Sequence, residues 1–139
     1  MLYDIRQSRY FEPVREPLSQ VESYYLTLPQ VPHMQAFYFV NDSFSADGRY
    51  LWFWCADPPA GVCHLGVLDL ALDQVSLSPS TQFLDASPAV HPVTGEAWFF
   101  NGCELWKIAP QADARPELVN CLSPEISRHR PPVRLATHI

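Results

Sequence analysis

Residues 44–53 read FSADGRYLWF and residues 90–100 read VHPVTGEAWFF, and the two stretches form a repeated block. The turn glycines of the two copies, Gly48 and Gly95, lie 47 residues apart. A period of that length, made of short strands and turns, is typical of β-propeller blades. The sequence therefore predicts an all-β fold with about two blades of a longer propeller, each blade being an antiparallel four-stranded sheet.

The position of the repeats predicts how the chain is organised. Residues 1–35 are expected to form an N-terminal arm with a possible closing strand, and residues 36–80 to form blade one. Residues 81–122 are expected to form blade two, and residues 123–139 a linker with the start of a third blade. The alternative is an unrelated all-β sandwich or meander of similar size.

Local sequence patterns predict individual strands within the two blades. Residues 50–55, YLWFWC, are apolar throughout, which predicts a strand that is covered on both faces. Residues 36–45 are predicted to be the first strand of blade one, and residues 21–28 to be a separate short strand. Residues 1–20 are polar and are expected to have little regular structure.

Composition excludes some function classes. Fifteen acidic and nine basic residues give a net charge of −6, which argues against non-specific binding to nucleic acid. No apolar run approaches the roughly 18 residues of a membrane span. The start of the chain lacks a basic region followed by an apolar stretch, so no secretory signal is visible. We expect a cytoplasmic protein with no nucleic-acid or membrane partner.

The four cysteines do not have the paired C-x-x-C spacing of a zinc site. Cys55 and Cys63 flank a loop and could form a disulfide across a hairpin. Because no export signal is visible, free buried thiols are the favoured interpretation. The cysteines are Cys55, Cys63, Cys103 and Cys121.

The stretch from Tyr24 to Leu70 resembles the oligogalacturonate lyase family, within the wider group of TolB-type propellers. The features that carry the resemblance are LTLP at 26–29, His33, FYF at 37–39, SFSADGRYL at 43–51 and LDL at 68–70. The resemblance implies a seven-bladed propeller that cleaves pectin-derived oligosaccharides by β-elimination. On this interpretation the chain is the N-terminal portion of such an enzyme and is inactive alone.

The resemblance also implies a divalent metal, held in the family by histidines and a glutamine, with a basic residue as proton acceptor. Those ligands lie in later blades of the family, so no residue of this chain is assigned as a metal ligand. The family's catalytic residues likewise match no position in this chain, and the catalytic residues are unknown.

Three histidines are candidates for substrate binding. His33 precedes the first predicted strand of blade one, where a loop can face the central funnel. His129 lies about two repeat lengths further on, and His138 falls near the first strand of a third blade. An imidazole could donate to a sugar carboxylate or ligate a metal. The alternative for each is a histidine that is hydrogen-bonded within a loop or strand.

Other polar and aromatic residues have simpler expected roles. Asp47 and His91 are predicted to stabilise hairpin turns, and Asp69 to bond a neighbouring loop. The tryptophans are expected to pack between blades, although exposed ones could stack on sugar rings. The tryptophans are Trp52, Trp54, Trp98 and Trp106.

Two further functional hypotheses stay open. One is a non-catalytic propeller that serves as a binding platform for a protein or ligand. The other is a small β domain that closes its ring by oligomerising. Because two blades leave aromatic faces and strand edges in water, we expect the chain to self-associate.

Overall fold

The computed structural model describes residues 3–38, 41–57, 59, 61–83 and 88–125. Within these ranges the fold is all-β, with three antiparallel sheets. The elements are a 3-10 helix at Ile5–Gln7 and strands β1 (Phe11–Arg15), β2 (Glu22–Leu26), β3 (His33–Gln35), β4 (Tyr50–Ala56), β5 (Cys63–Asp69), β6 (Gln74–Phe83), β7 (Ala89–Val90), β8 (Ala97–Asn101), β9 (Glu104–Ile108) and β10 (Glu117–Cys121).

Two of the sheets have the same plan. The first sheet has the order β3-β4-β5-β6 and the second has the order β7-β8-β9-β10, so each is a four-stranded meander in chain order. The predicted pair of antiparallel four-stranded sheets is confirmed. The third sheet is the hairpin β1-β2 near the N-terminus.

The turns that define the repeat share a glycine of positive φ, although Gly48 N donates three residues back to Ser45 O and Gly95 N four residues back to His91 O. Gly48 and Gly95 both have φ of 72°, a conformation that favours glycine. In the first turn Asp47 Oδ1 accepts hydrogen bonds from Arg49 N at 3.0 Å and from the Ser45 hydroxyl at 2.6 Å. In the second, His91 Nδ1 accepts from Thr94 N at 3.2 Å. The predicted turn roles of Asp47 and His91 are confirmed.

The expectation of little regular structure at residues 1–20 is wrong. Strand β1 pairs with β2 in a register that sets Phe11 opposite Leu26. Pro13 lies within β1 and is tolerated because β1 is an edge strand, whose outer side needs no N–H donor. Backbone pairing with β2 therefore overrides the weak strand propensity of this polar segment.

The predicted first strand at 36–45 is also wrong in its bounds, since the paired segment is β3, three residues earlier. The backbone N–H of Phe37 donates to the Ser43 hydroxyl at 2.9 Å instead of to a neighbouring strand. Phe44 makes only an isolated bridge with Leu51. A side-chain acceptor thus interrupts the ladder at this point.

A shared core joins the first and second sheets. Trp52 is fully buried, and its indole Nε1 donates to the Gly95 carbonyl at 2.8 Å. Trp54 and Trp106 pack against this core, so inter-sheet packing is confirmed for three of the four tryptophans. The core residues are Phe37, Trp52, Leu65, Val67, Phe83, Val90, Ala97, Phe99 and Ile108.

The other face of the first sheet is covered by the N-terminal segment. Leu28 and Val31 pack on Phe53 and Cys55 there, in a second buried cluster. Gly66 lies opposite Phe53 in the β4–β5 register, and an added Cβ would lie 2.4 Å from the Phe53 ring. Only glycine leaves room for that ring, so β4 and β5 are packed closely on both faces.

Within the described residues, no helix has the length and hydrophobicity that a membrane crossing needs.

Candidate functional site at the free edge of the first sheet

Strand β3 has β4 as its only strand neighbour in the described part of the chain. In the register, His33 lies opposite Ala56 and Gln35 lies opposite Trp54. Residues opposite one another, and residues two apart, project from the same face of a sheet. His33, Gln35 and Trp54 therefore form one surface, which we call the β3-edge surface.

This surface combines exposed polar groups with an aromatic ring. His33 and Gln35 are exposed, and Trp54 is half-buried. The imidazole of His33 and the indole of Trp54 have centroids 5.4 Å apart and planes inclined at 59°. A tilted contact of this kind is a favourable arrangement for two aromatic rings. The contact holds the imidazole beside the indole while its edge stays in water.

A cavity of about 390 Å³ lies against the same strand, between β3 and the β1-β2 hairpin. Its size falls within the range of small-ligand sites, which are mostly apolar with a few polar groups. Most of the lining residues that the first sheet supplies project from the face opposite to His33 and Trp54, and Gln35 is the residue that the cavity shares with the β3-edge surface. The lining residues are Phe11, Tyr24, Tyr25, Leu26, Met34, Gln35, Ala36, Leu51, Trp52 and Phe53.

The chemistry of this edge is that of binding. Aromatic rings offer flat apolar surfaces, while the imidazole, the Gln35 amide and the tyrosine hydroxyls offer hydrogen bonds. The described lining of the cavity contains no carboxylate, so the two-carboxylate chemistry of glycoside hydrolysis has no basis there. The arrangement suits a ligand with both apolar faces and polar edges, as a sugar has.

A metal centre does not fit this edge. Among the residues that the structure describes, no group of three or more His, Cys, Asp or Glu side chains lies close enough together to hold a metal ion. His33 has the Trp54 indole as its aromatic neighbour. No set of metal ligands is therefore assigned among the described residues.

A larger open cleft, of about 600 Å³, lies at the turn that contains Gly48. Two of its three charged groups pair with each other, because Asp4 accepts from Arg6 Nη2 at 2.7 Å and from Arg6 Nε at 2.9 Å, and the third is Asp42. These hydrogen bonds hold the pKa of Asp4 below its usual value. The Arg6 cation is thus taken up by Asp4, and the Asp42 carboxylate accepts from Phe44 N at 3.0 Å, so the charged groups of this cleft serve local structure and it is the weaker candidate.

The predicted site residues divide into two groups. His33 lies in the candidate site, although it is the first residue of a strand and not part of a loop. His129 and His138 lie outside the described residues. Sequence reasoning missed Gln35 as a partner of His33, although the two-residue spacing within one strand was a usable signal.

The expectation for Asp69 is confirmed and extended. Its carboxylate accepts from Ala71 N at 2.9 Å and Leu72 N at 3.3 Å, which are the loop contacts that were predicted. It also accepts hydrogen bonds from Arg49 Nη2 at 2.8 Å and from Arg49 Nε at 3.1 Å. This bidentate pair was missed, although both residues flank the β4–β5 strand pair.

The four cysteines are free thiols, as favoured, but they are not all buried: Cys121 is exposed. Cys55 lies opposite His64, and Cys63 lies opposite Ala56. The thiols of Cys55 and Cys63 therefore do not face each other across the hairpin.

The chain was compared with models of known protein families, with curated proteins and with solved structures, and none of them matches it.

Proposed function

We propose that this chain forms two successive blades of a β-propeller, and that its β3-edge surface binds a pectin-derived oligosaccharide. The two blades would belong to an oligogalacturonate lyase-like propeller, in which residues other than those described here perform the β-elimination. The cytoplasm is the proposed compartment.

The observation that carries the proposal is the repetition of one structural unit. The two four-stranded sheets have the same strand order, turns with glycines at the same φ, and a common core between them. Propeller blades pack face to face in this way, with the first strand of each blade at the central channel. In that arrangement β3 and its His33 border the channel.

The character of the β3-edge surface supports an oligosaccharide as the ligand. A half-buried indole, an exposed imidazole and an exposed amide lie together on one face. The indole suits the apolar face of a sugar ring, and the imidazole can donate to the carboxylate of a uronic acid.

Calorimetric titration of the chain with short oligogalacturonates tests the binding. We expect Trp54→Ala and His33→Ala each to weaken binding by about tenfold. The matched control is His91→Ala, which removes an imidazole from a turn outside the surface. Neutral oligosaccharides of the same length are expected to bind less well than oligogalacturonates. Equal binding by the wild type and both surface variants would contradict the proposal.

A second candidate function is a non-catalytic platform that binds a ligand without transforming it. It is favoured by the character of the β3-edge surface, where an exposed imidazole and amide beside a half-buried indole suit binding. The two are distinguished by incubating the chain with oligogalacturonate and a divalent cation and monitoring the ultraviolet absorbance of unsaturated products. Binding without products favours the platform, and products favour the lyase.

The proposal also predicts self-association. Leu118, on the outer strand of the second sheet, is 53% exposed, and Val119 beside it is 42% exposed. A neighbouring sheet would cover such side chains in a stack of blades. We expect size-exclusion chromatography to show the chain eluting ahead of a monomer, whereas a compact monomer at all concentrations would contradict this.

A further inference from the structure

Two cysteines that the proposed function does not use lie together at one end of the second sheet. Cys103 is in the tight turn that joins β8 to β9, and Cys121 is the last residue of β10. Their Sγ atoms are 3.3 Å apart. The two residues are 18 positions apart in sequence, and the sheet brings them together.

The backbone around the pair is held in place. Cys121 lies opposite Glu104 in the β9–β10 register, and Leu122 N donates to the Cys103 carbonyl at 2.8 Å. A disulfide has an S–S length of about 2.05 Å, so the sulfurs need to approach by little more than 1 Å. Rotation of the side chains supplies that distance without moving the strands.

The pair contains the one exposed thiol among the four cysteines, and Cys103 is as half-buried as Cys63. Cys121 is exposed and Cys103 is half-buried, whereas Cys55 is fully buried. Burial raises the pKa of the Cys55 thiol to about 12, which keeps it protonated and unreactive. Burial also raises the pKa of Cys63. An oxidant in solution therefore meets Cys103 and Cys121 first.

We propose that Cys103 and Cys121 are a reversible dithiol–disulfide site, which a low-molecular-weight disulfide such as oxidised glutathione converts to an intramolecular disulfide.

The reaction proceeds by two thiol–disulfide exchanges. The thiolate of one cysteine attacks a sulfur of oxidised glutathione, which forms a mixed disulfide and releases one glutathione thiolate. The second cysteine attacks the protein sulfur of the mixed disulfide and releases the second glutathione. The protein loses two electrons and two protons, and two molecules of reduced glutathione are formed.

The disulfide would fasten an edge strand. Strand β10 is exposed along its length and is paired only with β9 in the described residues. A cross-link to the β8–β9 turn restrains β10 at its C-terminal end. Because the hydrogen bond with Cys103 raises the pKa of the Cys121 thiol, attack by Cys121 speeds up as the pH rises.

The experiment equilibrates the full chain with reduced and oxidised glutathione and maps its disulfides by non-reducing peptide mass spectrometry. We expect a Cys103–Cys121 linkage that is reversed by excess reduced glutathione. We also expect oxidation to raise the melting temperature by about 5 °C or more, as for a cross-link closing a loop of this length.

Cys103→Ser and Cys121→Ser are the test variants, and Cys63→Ser is the matched control. The control is expected to keep the linkage and the shift in melting temperature, and the test variants to lose both. If a test variant fails to fold, trapping of the wild-type thiols with iodoacetamide still reports on the pair. Formation of only mixed disulfides, of intermolecular dimers or of a Cys55–Cys63 bond would overturn the proposal.

Discussion

The two four-stranded sheets have the same strand order but differ in how well they are covered. In the first sheet β5 buries every residue from Leu65 to Asp69. In the second sheet, the equivalent strand β9 buries only Ile108. Part of the difference is composition, because β9 carries the charged residues Glu104 and Lys107, but its apolar residues Leu105 and Trp106 are also only half-buried. The two sheets also differ in the number of neighbours: the first sheet lies between the second sheet and the N-terminal segment.

The difference shows that burial in a repeat depends on what lies beside it. A sheet of this kind has two apolar faces and can cover neither by itself. If this is correct, equivalent substitutions should have large effects in the first sheet and small effects in the second. The following predictions test that expectation, from the largest effect to the smallest.

Gly66→Ala is expected to have the largest effect. The new Cβ would lie 2.4 Å from Phe53 Cε2 and 3.1 Å from Leu77 Cδ2, so the doubly covered sheet must open. Overpacking of this kind lowers the free energy of unfolding by about 2–3 kcal/mol. The control is Gly61→Ala, where nothing lies within 4 Å of the added Cβ. Urea denaturation measures both variants, and equal stabilities would contradict the close packing.

Trp52→Phe is expected to have the second largest effect on stability. The substitution removes the indole N–H and leaves the Gly95 carbonyl without its 2.8 Å hydrogen bond in a buried site. An unsatisfied buried acceptor lowers the free energy of unfolding by about 1–3 kcal/mol.

The matched control for this substitution is Trp98→Phe in the second sheet. The buried Nε1 of Trp98 has no hydrogen-bond partner among the described residues. Its removal should therefore change the free energy of unfolding by less than about 1 kcal/mol. Denaturation curves in which Trp98→Phe is the more damaging variant would contradict the account.

The acid dependence of stability should show a smaller difference. Burial opposes ionisation of Asp69, but hydrogen bonds from Arg49 and the loop N–H groups outweigh it and lower its pKa. A depressed carboxyl pKa contributes stability above the unfolded value of about 4, and this is lost as the pH falls through the folded value. In Asp69→Asn, the free energy of unfolding should therefore fall by about 1 kcal/mol less than in the wild type as the pH drops through this acidic range.

Glu96→Gln is the comparison for the second sheet. The hydrogen bond from Lys107 Nζ at 3.0 Å lowers the pKa of Glu96, so the sign of its effect is the same. The Glu96 carboxylate accepts single side-chain hydrogen bonds from Lys107 and Thr94, whereas Asp69 accepts a bidentate pair and two backbone N–H groups, so the effect of Glu96 should be the smaller one. Thermal melts between pH 2 and pH 7 measure both, and an equal or larger effect of Glu96→Gln would contradict the ranking.

The sequence predicted most of the repeated fold, since local patterns determine it. The Asp47-Gly48 sequence predicted a turn and the apolar run at 50–55 predicted a doubly covered strand, and both are present, although only an isolated Phe44–Leu51 bridge precedes the turn. These features depend on residues close together in the chain, which is why sequence reasoning could find them.

The features that were missed depend on partners far apart in the chain or on side-chain bonds to the backbone. Strand β1 forms because β2 pairs with it, and the ladder at Phe37 is interrupted by the Ser43 hydroxyl. The proximity of Cys103 and Cys121 arises from the β9–β10 register, with its bulge between Leu118 and Asn120. For the candidate site, His33 could be singled out, but its contact with Trp54 required the β3–β4 register.

Hydrogen–deuterium exchange, resolved to single amides by NMR, compares the two sheets within one molecule. Amides in strand ladders exchange at rates set by local opening, and well-covered strands open least. We predict that the amides of residues 65–68 in β5 exchange at least about tenfold more slowly than those of residues 105–108 in β9, the equivalent inner strand. Equal protection of the two strands, or slower exchange in β9, would contradict the conclusion that neighbouring layers determine burial in this repeat.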